Sequence, residues 1–152
     1  MPVKLRPYSI GGYSVHQYIF TPDAALGAAI SSGDQQGNVY VSGPTDEWVA
    51  RIVSHCETAP LTTAATFEIE YASTATGSAF EDLDVISIWT PITHSTNFFV
   101  HTAGQKTVIA DSGFNTTTLP SRRALRFNVN AAGGTPAQNV TVIMEVWRPL
   151  QS

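Results

Sequence analysis

The chain has 152 residues and a net charge of −4, and only 13% of its residues are charged, against about 25% in an ordinary soluble domain. Its 8 basic side chains are too few for the cationic face that displaces counterions from phosphates, which argues against nucleic acid as a partner. A hydrophobic share of 43% with 10% aromatics is enough to fill a core, while no apolar run reaches the length of about 18 residues that spans a membrane.

Taken in chain order, residues 1–12 open on Met1-Pro2-Val3-Lys4-Leu5-Arg6-Pro7, without the apolar stretch of a secretory signal. Two prolines in this segment block ladder hydrogen bonding, so it reads as an extended arm or an edge strand. A single domain is expected over 13–152. Tyr13–Phe20 reads as its first strand. Thr21-Pro22-Asp23 is a helix-start signal, and the alanine-rich stretch to Ile30 makes at most one short helix. Strands follow at Asn38–Val41 and Glu47–Cys56. The next is marked by Phe67, Ile69 and Tyr71 alternating with Thr66, Glu68 and Glu70, the two glutamates on a solvated side.

Leu83–Ile92, Asn97–Thr102 and Lys106–Ala110 supply shorter strands. Two longer ones close the chain. In the first, Leu125, Phe127 and Val129 alternate with Arg126, Asn128 and Asn130. In the second, Val140, Val142, Met144 and Val146 form one face, and the other face is partly apolar. Glycine-bearing turns such as Ser42-Gly43-Pro44 and Ala103-Gly104-Gln105 punctuate these runs, and no crossover helix separates them. The pattern predicts an all-β fold, an antiparallel β-sandwich of jelly-roll type.

No constellation for catalysis emerges, and the chain is expected not to be an enzyme. His16, His55, His94 and His101 lack metal-ligand spacing, and Cys56 has no second cysteine. His55 and Cys56 are neighbours on one strand and point to opposite faces, so they do not form a nucleophilic pair. By alternation Cys56 shares a buried side with Ile52, Ala50 and Trp48. Glu81, Asp82 and Asp84 form the acidic cluster that comes nearest to a metal site, without the regular ligands of a calcium loop. No cofactor is expected.

The surface is instead covered by 18 Thr and 13 Ser, polar but uncharged and easily dried against a neighbouring protein. Candidate contacts are Val3, Leu5 and Tyr8 in the arm, Phe114 and Leu119 in the long loop Ser112–Ser121, and Trp147 with Arg148 near the end. Trp147 lies opposite the apolar face of its strand and is the outward ring among Trp48, Trp89 and Trp147. An outward Trp also suits stacking on a sugar, so a carbohydrate- or receptor-binding β-sandwich module is the alternative reading.

The segment Ala124-Leu125-Arg126-Phe127-Asn128-Val129-Asn130, the turn Ala131–Gln138 and the strand Asn139–Pro149 make a long hairpin in a small, acidic, Thr/Ala/Gly-rich, cysteine-poor chain. In this the chain resembles the head-decoration (cement) and other small virion proteins of tailed bacteriophages. The resemblance is one of overall style and carries no motif onto particular residues. It implies a homo-oligomer, trimer or dimer, made in the host cytoplasm and bound in the virion to the major capsid protein or another virion protein.

Overall fold

The computed structural model describes residues 12–21, 38–72, 89–92, 99–101, 103–110, 114, 118–131 and 135–150. Ten strands run through them: β1 Tyr13–Phe20, β2 Tyr40–Val41, β3 Glu47–Thr58, β4 Ala65–Ala72, β5 Trp89–Ile92, β6 Phe99–His101, β7 Thr107–Ala110, β8 Thr118–Leu119, β9 Ala124–Ala131 and β10 Gln138–Pro149. No helix is present among the described residues, and the expected short helix at Pro22–Ile30 lies outside them. So do residues 1–11 of the arm.

The strands form two antiparallel sheets. The first has the order β1-β10-β3-β7, with β8 also on β3; the second has the order β2-β9-β4-β5, with β6 also on β4. The last strand thus lies against the first, β9 against β2, β7 against β3 and β5 against β4. This is a long antiparallel ribbon rolled up across two layers, the jelly-roll arrangement that the period-two pattern predicts. The predicted first strand coincides with β1, and β3 runs two residues past its predicted end.

The core lies between the inner faces. Tyr18, Phe20, Val49, Ile52, Val140, Val142, Met144 and Val146 from the first sheet meet Phe67, Ile69, Ile92, Leu125, Phe127 and Val129 from the second. Phe127 stacks on Phe20 of the opposite layer at 5.8 Å and contacts Phe67 of its own sheet at 5.6 Å. Each such side chain contributes roughly 1.5–3 kcal/mol by leaving water.

One irregularity changes which residues face inward. Glu145 pairs with Arg51 but Val146 pairs with Val49, so β3 carries an extra residue at Ala50. A bulge of this kind inverts the side-chain alternation beyond it. On one side of it Ile52, Ser54 and Cys56 are buried; on the other, Glu47 and Val49 are. Trp48 therefore does not share the buried side of Cys56, as strict alternation predicts. It stands on the outer face, directly opposite Trp147.

Candidate functional site: the outer face of the first sheet

The strand registers of the first sheet set side chains in rows across its outer face. Ile19, Ile143, Val53 and Ile109 form one row over four strands. Val15, Trp147 and Trp48 form a second. Between them runs a polar row of Gln17, Glu145 and Arg51. Adjacent rows are two residues apart along β1 and β10, or about 7 Å, and the bulge at Ala50 keeps Trp48 and Arg51 of β3 level with them.

Much of this apolar surface is open. Val15 is 60% exposed, Ile109 60% and Ile19 41%. Trp48, Trp147, Ile143 and Val53 are half-buried. The charges within the three rows are Arg51 and Glu145, which pair with each other at 3.5 Å and so nearly cancel. Beyond the apolar row of isoleucines, His55 Nδ1 meets Thr107 Oγ1 at 2.8 Å. Within the three rows the face is uncharged on balance and partly apolar, which is the composition of the dried centre of a protein interface.

The second sheet presents a different outer surface. Glu68, Glu70 and Asn128 lie there at 7%, 8% and 3% exposure. The expectation of a solvated face for the two glutamates is thereby corrected, and their burial is matched by partners. Arg126 Nε donates to Glu70 at 2.6 Å, Asn128 Nδ2 donates to Glu68 at 3.5 Å, and the Arg126 guanidinium lies 4.3 Å over the Trp89 ring. Trp89 is thus engaged under an arginine.

The candidate contacts fall in different places. Val3, Leu5 and Tyr8, and the acidic group Glu81, Asp82 and Asp84, lie outside the described residues. Leu119 is fully buried on β8, and Phe114 packs against the core. Leu119 is held there by the pairing of β8 with Glu47 and Trp48 at the start of β3. Leu119 is therefore not a surface contact. Trp147 faces outward as expected, and the structure places Trp48 beside it.

Arg148 follows Trp147 and points the other way. Its guanidinium donates from Nε to Glu47 and from Nη2 to the Tyr18 hydroxyl at 3.2 Å, while Tyr18 donates to Glu47 Oε1 at 2.7 Å. Glu47 has no exposed side-chain surface. Burial and the Glu47 carboxylate push the Tyr18 phenol well above its ordinary value. Burial works against the Arg148 charge, but the bond and charge of Glu47 hold it above the usual arginine value. Arg148 is thus a structural anchor of the buried end, with a quarter of its side chain still exposed. Gly43 packs directly on this group: a Cβ there would stand 2.7 Å from Arg148 Nε.

Sequence reasoning missed Val15, Ile19, Val53, Ile109 and Ile143. The signal was present in the apolar residues that β10 carries on both faces, but only the cross-strand register shows that such residues line up into rows.

The chain matches no protein-family model and no curated protein. Among solved structures it is similar to the capsid of Ralstonia phage GP4, with a TM-score of 0.48 and 18% identity over 93% of this chain and 87% of that one. It is also similar to part of the xylanase 10B CBM22-1–GH10 modules of Clostridium thermocellum, with a TM-score of 0.37 and 12% identity over 90% of this chain and 25% of that one. Both are likenesses of overall architecture.

Proposed function

We propose that the chain is a structural protein of a virion, a decoration or cement protein that docks on the capsid surface and stabilises the shell through many protein–protein contacts. The observation that carries this reading is the open outer face of the first sheet, where two apolar rows flank a single self-neutralised ion pair. The style of the sequence, which resembles small phage virion proteins, supplies the kind of partner: the major capsid protein or another repeating virion protein. A lattice presents the same partner surface many times. A homo-oligomer binding several copies at once holds on far longer than any single contact. No catalytic step and no cofactor enter this mechanism.

Co-sedimentation with capsids of the virus whose genome encodes the chain tests the proposal. The wild-type protein is expected to pellet with the particles. The double variant Ile19→Lys/Ile109→Lys is expected to stay in the supernatant with its circular dichroism unchanged, since both side chains are already exposed. Failure of the wild type to pellet overturns the virion reading; pelleting of the variant overturns the docking face.

One observation favours a second reading. Trp48 and Trp147 are register partners on the outer face, in the row next to Gln17, Glu145 and Arg51, and aromatic and polar side chains on one surface suit stacking on and hydrogen-bonding a saccharide. A monomer that binds a glycan array, and loses that binding in Trp147→Ala, would establish it over the first.

A further inference from the structure

Among the described strands, β1 forms one border of the first sheet. Natural edge strands are defended by shortness, charge, proline or bulges, because their free backbone groups are templates for another strand. The other border strands are short, at four residues for β7 and two for β2. β1 is eight residues long, Tyr-Ser-Val-His-Gln-Tyr-Ile-Phe, with no charge and no proline, and its register with β10 has no bulge.

The direction of its free groups follows from two observations. Tyr13 stands opposite Pro149, which has no N–H to give, so Tyr13 belongs to the set that points away from β10. Ile19 belongs to the same set, since its carbonyl accepts from the Tyr40 hydroxyl at 2.7 Å and from Asn38 Nδ2 at 2.8 Å, both outside the β1–β10 ladder. By alternation Val15 and Gln17 point the same way. Asn38 and Tyr40 plug the border at Ile19. The open stretch is Tyr13, Val15 and Gln17, and residues 14–17 are all exposed.

We infer that this stretch is a self-association site, at which β1 pairs antiparallel with β1 of a second copy about a two-fold axis at Val15. The open set is symmetric about that residue. Val15 then exchanges backbone bonds with its own counterpart, and Tyr13 exchanges them with the other copy's Gln17. No like charges are brought face to face, since the strand has none. The plug at Ile19 stops the register from sliding toward Phe20. The row Trp48–Trp147–Val15 runs on into its copy, so the outer faces of two molecules join into one surface. The pairing needs no virion partner to form, and it supplies a contact for the homo-oligomer that the function proposed above calls on.

Proline at position 15 removes the central N–H while leaving the bonds to β10 intact, and edge positions whose N–H faces solvent accept proline. Light scattering over a concentration series up to about 1 mM is expected to show twice the chain mass for wild type. It is expected to show the single chain mass for Val15→Pro with unchanged circular dichroism. Ile109→Lys, at the far side of the same face, is expected to keep the doubled mass. A wild type that stays at the single mass throughout, as when the edge is filled by the chain's own residues 1–11, overturns the inference. So does a Val15→Pro protein that remains double. Hydrogen exchange on wild type does not depend on the variant folding: the amides of Val15 and Gln17 are expected to gain protection as concentration rises, and concentration-independent exchange overturns the inference as well.

Discussion

Trp147 of β10 faces Trp48 of β3 across the first sheet, and it does so because β3 holds one extra residue at Ala50. Without the bulge, Trp48 would point into the core and Glu47 out to water. The bulge exchanges them. It builds an aromatic pair outside and leaves a carboxylate inside that must be satisfied. Directly opposed aromatic side chains contribute roughly 0.2–1 kcal/mol beyond an alanine pair. A double-mutant cycle of Trp48→Ala and Trp147→Ala in urea is expected to return a coupling of about 0.5–1 kcal/mol. A coupling of zero would mean that the rings do not touch in solution.

Glu47, Tyr18 and Arg148 form the second consequence of the bulge. A fully buried carboxylate is tolerable only with its partners in place. Arg148→Met leaves Glu47 uncompensated and is expected to cost about 3–5 kcal/mol of unfolding free energy. Adding Glu47→Leu to it is expected to restore a large part of that loss, because the apolar pair no longer carries a buried charge. Gly43→Ala probes the same site from outside. Its methyl group meets the guanidinium at 2.7 Å and displaces it from Glu47, so it is expected to destabilise wild type far more than Arg148→Met. Equal effects in both backgrounds would detach Gly43 from the network.

Tyr18 gives this network a pH signature. Its phenol is held above the ordinary value of 10.0 in the folded state, by burial first and by Glu47 next. The unfolded chain therefore loses this proton first. The stabilisation is fully present below pH 10.0 and drains away as the pH rises from there toward the folded value. Unfolding free energies of wild type are expected to fall above that pH more steeply than those of Tyr18→Phe, by at most about 1.4 kcal/mol per pH unit. Parallel slopes would show that Tyr18 is not buried against Glu47.

The rolled sandwich was legible because its cause is local. Alternation in Phe67–Tyr71, Leu125–Val129 and Val140–Val146 is enforced by a core on one side of each strand, and the turns between them carry glycine. The candidate site was less legible because its causes are not local. A bulge is a mismatch between two strands far apart in sequence, so alternation along β3 alone puts Trp48 on the buried side of Cys56. The burial of Glu68 and Glu70 depends on Arg126 and Asn128 from another strand. The apolar rows exist only through register, which brings Ile19, Ile143, Val53 and Ile109 level from four separate segments.

Cys56 allows a direct check on the inner face of β3. It has no exposed surface, and its Sγ sits 3.5 Å from the Lys106 carbonyl and 3.7 Å from that of Gln105. Burial pushes the thiol above its ordinary value, with Lys106 acting weakly in the opposite sense. Reaction with a thiol reagent requires both a thiolate and access. At pH about 8 the folded protein is therefore expected to react at least about 100-fold more slowly than the same chain in urea. The rate is expected to rise across the unfolding transition, in step with the loss of circular dichroism. Prompt labelling of the folded chain would place Cys56 on the outer face, and would reverse the assignment of Ile52 and Ser54 to the core along with it.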